Sequence, residues 1–236
     1  MLYLVEDFFS IQGEGLKIGT PSIFFRFGGC NLTCSGFGCT HLGVAGCDTV
    51  YAVDKKHFAS NWQVVTSDEL ITKVISYQKN LTYKPDIVIT GGEPLMYANN
   101  IDFITFLNYL NQNNHTITIE TNGTFVPSFK TNAVYQKIIY ALSIKLKNSG
   151  EKREKRLNTE AIKTISTFSS NSFFKFVVDQ ESIKQNVLNE INEIITIAPH
   201  LKVYCMPLSN SKKTIEQQQL SVIQFCLKNG FIYSDR

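Results

Sequence analysis

The chain has 236 residues, 43% hydrophobic and 18% charged, with 23 Lys and Arg against 20 Asp and Glu for a formal net charge of +3. A chain of this length buries roughly 70% of its unfolded surface, enough for a core without staples, and its composition excludes a disordered polymer. The weak charge argues against a nucleic-acid partner, and the apolar run Ile138–Leu142 is far short of the ~20 residues that cross a bilayer.

The first ten residues carry Glu6 and Asp7 and no basic residue, so they do not read as an export signal, and a cytoplasmic location is expected. Ser22–Phe27 is the first extended segment. Phe27–Asp54 follows with six glycines (Gly28, Gly29, Gly36, Gly38, Gly43, Gly46) and four cysteines, and a long loop of this kind in a folded domain is usually functional. Thr66-x-x-Glu69 is a capping-box pattern that opens a helix through Leu70, Val74 and Ile75. From there extended and helical segments alternate: Asp86–Thr90, helix Ile101–Asn113, Thr116–Glu120, Ile138–Ile144, helix Glu160–Phe168, Phe173–Asp179, helix Val187–Ala198, Lys202–Met206, helix Ile215–Asn229 closed by Gly230, and Phe231–Tyr233. The run Lys145–Arg156 holds six basic residues and two Glu, and its second half reads as solvated surface. Extended segments rich in Ile, Val, Phe and Tyr suit strands buried on both faces, and their alternation with helices implies α/β class with a parallel sheet. About six units are too few for an eight-fold barrel. The expected architecture is one domain over 1–236, a partial (β/α) barrel with a cluster-binding loop after its first strand.

Cys30, Cys34, Cys39 and Cys47 fall within eighteen residues, while Cys205 and Cys226 are remote and read as buried thiols. Bunched cysteines without an export signal favour a metal or cluster site over disulfides. Three thiolates on a four-iron cluster leave one iron open, and Cys30-x3-Cys34 needs a third ligand from Cys39 or Cys47. Four thiolates would close the site and fit structural zinc, although the spacing lacks zinc's paired short hairpins. His41, His57, His115 and His200 form no ligand spacing.

Cys30-x3-Cys34 after the first barrel strand and Gly91-Gly92-Glu93-Pro94 after the next resemble the radical S-adenosylmethionine superfamily. Ser10-Ile11-Gln12-Gly13-Glu14-Gly15, Arg26-Phe27-Gly28-Gly29-Cys30-Asn31-Leu32, Cys47-Asp48-Thr49 and Glu120-Thr121-Asn122-Gly123 narrow the resemblance to its 7-carboxy-7-deazaguanine synthase family, over Ser10 to about Pro207. That resemblance implies contraction of 6-carboxy-5,6,7,8-tetrahydropterin to 7-carboxy-7-deazaguanine with loss of ammonia, on the path to queuosine-type nucleosides. It implies a 4Fe-4S cluster on Cys30, Cys34 and Cys47, with Cys39 a spare thiol in a twelve-residue insertion. S-adenosylmethionine would bind the open iron, and Mg²⁺ would sit at Thr49. Gly46, Cys47, Asp48, Gly92, Glu93, Glu120, Ser143, Ile144, Lys145, Phe174, Lys175, Phe176 and Val177 match cofactor contacts. Ile11, Gln12, Gly13, Glu14, Arg26, Thr90 and Pro207 match substrate contacts, with Arg26 suited to a carboxylate and Glu14 to the pterin's donor edge. The resemblance further implies an electron donor such as flavodoxin or ferredoxin, a homodimer, and a short tail after Tyr233-Ser234-Asp235-Arg236.

Overall fold

The protein is described by a computed structural model over residues 1–169, 171–208 and 212–235. Its strands are β1 (Leu2–Ile11), β2 (Pro21–Phe27), β3 (Cys39–His41), β4 (Val44–Gly46), β5 (Gln63–Val65), β6 (Asp86–Gly91), β7 (Ile117–Thr121), β8 (Ile139–Leu142), β9 (Phe173–Val178), β10 (Lys202–Pro207) and β11 (Ile232–Tyr233). Its α-helices are α1 (Val50–Val53), α2 (Lys55–Phe58), α3 (Ser67–Gln78), α4 (Ile101–Gln112), α5 (Arg153–Arg156), α6 (Thr159–Phe168), α7 (Gln180–Lys184), α8 (Val187–Ile195) and α9 (Lys212–Asn229).

The central sheet runs β11-β10-β9-β8-β7-β6-β2-β1-β5. Every pairing from β2 to β11 is parallel. Because these strands stand in chain order, each crossover advances the sheet in the same direction, and all their carboxyl ends open on one rim. The expected α/β class and the parallel strands are present. The antiparallel edge is an addition: β1 pairs β2 on one side and β5 on the other. A β-bulge between Leu4 and Glu6 breaks the two-residue alternation of β1, which is why its sequence carries no clean strand signal. Past the bulge Glu6 stands directly opposite Arg26, a cross-strand pair of opposite charge.

Helix starts follow their capping residues. Thr66 and Glu69 form the expected capping box on α3, and Asn100 caps α4 by accepting from Phe103 N–H at 3.1 Å. The α4 helix buries Phe103, Phe106, Leu107 and Leu110, which share one face at helical spacing. Phe106 meets Phe25 of β2 edge to face, with ring centroids 5.1 Å apart. One apolar core extends in sequence from Leu2 to Cys226, whereas Leu32, Cys34, Phe37, Cys39 and Cys47 form a separate small cluster.

In the second half of the basic run Lys152, Arg153, Glu154 and Lys155 are exposed, as expected, and Arg156 is the exception. Arg156 is buried, donating to Lys145 C=O at 2.8 Å and pairing with Glu190 at 2.5 Å. Among the described residues no helix is long and apolar enough to cross a membrane.

Candidate active site

The rim formed by β2, β6, β7, β8, β9 and β10 surrounds a cavity of about 240 Å³, with thiols at one end and ionised side chains at the other. Strand alternation decides which residues face it. Lys175 and Val177 of β9 line the cavity, while Phe174 and Phe176 between and before them are fully buried in the core and stack on each other. Ser143 and Lys145 line it likewise, and Ile144 lies in the core. Gln12 and Glu14 line it, but Ile11 is 55% exposed at the end of β1, and neither it nor Gly13 borders the cavity. Met206 and Leu208 take the place expected of Pro207, and Asp48 lines the cavity where Gly46 does not. The structure therefore brings together Gln12, Glu14, Arg26, Thr90, Gly92 and Glu120 with the cysteine loop, and leaves the side chains of Ile11, Ile144, Phe174, Phe176 and Pro207 outside the cavity.

At the thiol end, Cys30, Cys34, Cys39 and Cys47 all border the cavity, and none is in a disulfide. The Cys30 Sγ accepts from Leu32 N–H at 3.4 Å and from Asn122 Nδ2 at 3.8 Å. Burial pushes the Cys30 thiol up to about 12 and the Cys34 thiol up to about 11, in both cases against the opposing charge of Lys145. Among the described residues no group of three or more His, Cys, Asp or Glu converges on a single ion. Thiols around a shared cavity are the donors that an iron–sulfur cluster takes.

The insertion 35–46 folds as a 3₁₀ turn at Ser35–Phe37 followed by the β3–β4 hairpin. Leu42 and Gly43 at its tip both have positive φ (48° and 80°), as a tight two-residue hairpin turn requires. Thr49, at the start of α1, has its hydroxyl 3.5 Å from Cys47 Sγ and donates to Gly91 C=O at 3.4 Å.

Gly91 and Gly92 hold the thiol loop against the sheet. A Cβ on Gly91 would lie 2.0 Å from Phe27 O, and its φ is +132°; a Cβ on Gly92 would lie 2.1 Å from Gly29 O. In that space Gly92 N–H donates to Phe27 C=O and Glu93 N–H to Gly29 C=O. Glu93 is wholly buried beneath the cavity, not in it. Its carboxylate accepts from Leu95 N–H (2.9 Å), Thr121 Oγ1 (2.8 Å) and Asn122 N–H (2.7 Å), tying the end of β6 to that of β7. Burial pushes its carboxyl up to about 6, although these donors oppose the rise.

At the polar end Lys175 Nζ sits 2.8 Å from Glu14 Oε2 and 3.4 Å from Glu120 Oε1, and Glu120 Oε2 accepts from Thr90 Oγ1 at 2.8 Å. Burial works to raise the Glu120 carboxyl, but Lys175, Thr90 and Arg26 outweigh it and hold the group below the usual carboxylate range. Burial works to lower the Lys175 ammonium, and the two carboxylates outweigh that and push it up. Arg26 Nε donates to Glu6 Oε1 at 2.6 Å, the same oxygen receives the Tyr51 hydroxyl at 2.9 Å, and the guanidinium lies 5.8 Å from the Tyr51 ring centre.

The sequence analysis assigns no site role to Glu6, Tyr51, Asn122, Thr124 or Glu151. Asn122 at least sits inside the quoted Glu120–Gly123 motif. Its side chain donates to Asn31 Oδ1 at 2.9 Å and accepts from Thr124 N–H at 3.0 Å, so the end of β7 is joined to the residue after Cys30.

Residues 11–166 match a family model described as a 4Fe-4S single cluster domain, about two thirds of the chain. The chain belongs to this family. The matched residues include Cys30, Cys34, Cys39 and Cys47. Among curated proteins the chain is similar to a 7-carboxy-7-deazaguanine synthase of Rhodopirellula baltica, 29% identical over 249 aligned positions that cover 100% of this chain and 84% of that protein. It is also similar to one of Bacteroides thetaiotaomicron, 35% identical over 119 residues covering 50% of each. Several such matches span only about half the length of the curated relative or less. Among solved structures the fold is similar to that of QueE from Escherichia coli, with a TM-score of 0.66 and 22% identity over 100% of this chain and 93% of that one.

Proposed function

We propose that this chain is a 7-carboxy-7-deazaguanine synthase of the radical S-adenosylmethionine superfamily. It contracts 6-carboxy-5,6,7,8-tetrahydropterin to 7-carboxy-7-deazaguanine with release of ammonia. The observation that carries the reading is one cavity with buried cysteines at one end and the Arg26, Lys175, Glu14 and Glu120 set at the other. On this reading the chain is a single domain, a partial barrel of about six units, with both parts of the site at the carboxyl ends of its parallel strands.

Cys30, Cys34 and Cys47 would hold a 4Fe-4S cluster, which when bound would supply the electron for reductive cleavage of S-adenosylmethionine. The rest is positioning and exclusion of water. Arg26, fixed at Nε by Glu6, receives the substrate carboxylate. Lys175 neutralises Glu14 and Glu120 where they approach each other, and Glu14 faces the donor edge of the pterin. Thr90 holds Glu120 in place. The Thr49 hydroxyl would be the protein's ligand to Mg²⁺, an ion that keeps most of its water and takes few protein ligands. A flavodoxin- or ferredoxin-like donor, a cytoplasmic location and a homodimer complete the reading.

The test is anaerobic turnover with the carboxylated pterin, S-adenosylmethionine, reductant and Mg²⁺, with Cys39→Ala and Cys47→Ala in parallel. Cys39→Ala is expected to turn over and Cys47→Ala to fail; the reverse reassigns the third ligand. Cleavage of S-adenosylmethionine without conversion of the pterin points to another radical enzyme of the superfamily, and zinc in place of iron and sulfide overturns the reading altogether.

A further inference from the structure

Glu151 lies in the charged run and reaches across 117 residues to the loop between the first two candidate cluster cysteines. One oxygen, Oε1, accepts from Thr33 N–H, from Thr33 Oγ1 at 2.7 Å and from Cys34 N–H at 3.1 Å. These donors are the ones a loop of that shape would otherwise leave to water or to the ligands it surrounds. Cys34 needs such support, since it has φ 48°, a left-handed conformation that side chains seldom adopt.

Glu151 is itself held in place. Arg156 Nε donates to its carbonyl at 3.2 Å, Arg156 pairs with Glu190 of α8 at 2.5 Å, and Glu190 Oε2 accepts from Lys147 N–H at 3.0 Å. The same segment abuts the loop a second time. A Cβ on Gly36 would lie 2.3 Å from Asn148 O, so the backbones at 36 and 148–150 touch without an intervening side chain.

We propose that Glu151 is a positioning residue for the cluster, holding Cys34 in its ligating conformation before iron arrives and withholding the Cys34 N–H from the cluster's sulfurs. The proposal rests on the cluster reading and not on the pterin reaction. A fixed negative charge and a diverted N–H next to a cluster both disfavour its accepting an electron, so the residue also sets how reducing the cluster is.

Two measurements on the full chain test it. In metal-free protein, hydrogen exchange at the Thr33 and Cys34 amides is expected to speed up about tenfold in Glu151→Ala, the effect of losing one charge-assisted hydrogen bond, with β6–β9 amides unchanged as the check on folding. In reconstituted protein, Glu151→Gln keeps an acceptor oxygen but loses the charge, and the cluster's reduction potential is expected to become more positive while the iron content stays at the wild-type value. Thr33→Val, which retains the carboxylate and the Cys34 bond, is expected to raise iron loss to a chelator less than Glu151→Ala does. Unchanged exchange at Thr33 and Cys34 in Glu151→Ala overturns the positioning role. An unchanged potential in Glu151→Gln overturns the electronic one. Wild-type protein that binds no iron and sulfide overturns the cluster reading while leaving the exchange result to stand by itself.

Discussion

Lys175 shows what a buried charge at this site demands. It is flanked by Glu14 and Glu120, all three side chains are largely withdrawn from water, and the ammonium compensates both carboxylates. Lys175→Met is therefore expected to cost about 3 kcal/mol in urea unfolding, because it strands two like charges, and adding Glu120→Gln should recover part of that loss. The sign for Glu120 follows from its lowered value: its contribution is present above about 4.5 and disappears as pH falls through the depressed folded value. Glu93 works the other way. Its folded value is raised to about 6 from 4.5, so the native state binds the extra proton and stability falls by about 2 kcal/mol as pH rises between those two values. Comparing wild type with Glu93→Gln by chemical unfolding between pH 4 and 7 should show that slope in the first and not in the second. Arg26→Lys keeps the charge but lacks the fork, and is expected to weaken pterin binding by about one to two decades, read from KM or direct titration. The charges of Arg26, Glu120 and Lys175 were legible because each breaks an apolar strand. Their partners were not: Lys175 and Glu14 are 161 residues apart, and no periodicity links them.

Among elements, the parallel strands announced themselves through unbroken runs of Ile, Val and Phe, as both their faces are covered. The β1 strand did not, since its bulge and its paired Glu6 and Asp7 spoil both simple patterns; Asp7 is bound by Lys73 at 2.8 Å and by the Tyr77 hydroxyl. Which side chains of β9 face the cavity is likewise a matter of register, and the sequence motif Phe174–Val177 could not separate the two faces. The turn after β6 was legible as a glycine pair because the close approach it permits has no other solution. Gly91→Ala should cost more than about 3 kcal/mol and depress Tm sharply, its Cβ meeting three backbone atoms of Phe27 at a backbone angle that already disfavours alanine.

For the whole molecule, strand–helix alternation was enough to give the class, and sequential strand order gave the common rim. The small thiol cluster is separate from the main core. Chelation of the metal should therefore leave far-UV circular dichroism and the amide protection of β6–β9 intact while residues 30–47 lose theirs; global unfolding on chelation would contradict this partition. The β3–β4 ribbon has a consequence of its own. It pairs Cys39 with Gly46, so the chain leaves the site and returns to within one residue of Cys47 at almost the point of departure. The number of residues between the second and third thiols is then free to drift: trimming the ribbon from its Leu42–Gly43 tip inward should shorten the excursion without displacing Cys47, and a search for kindred sequences that insists on fixed cysteine intervals would pass over chains built in this way.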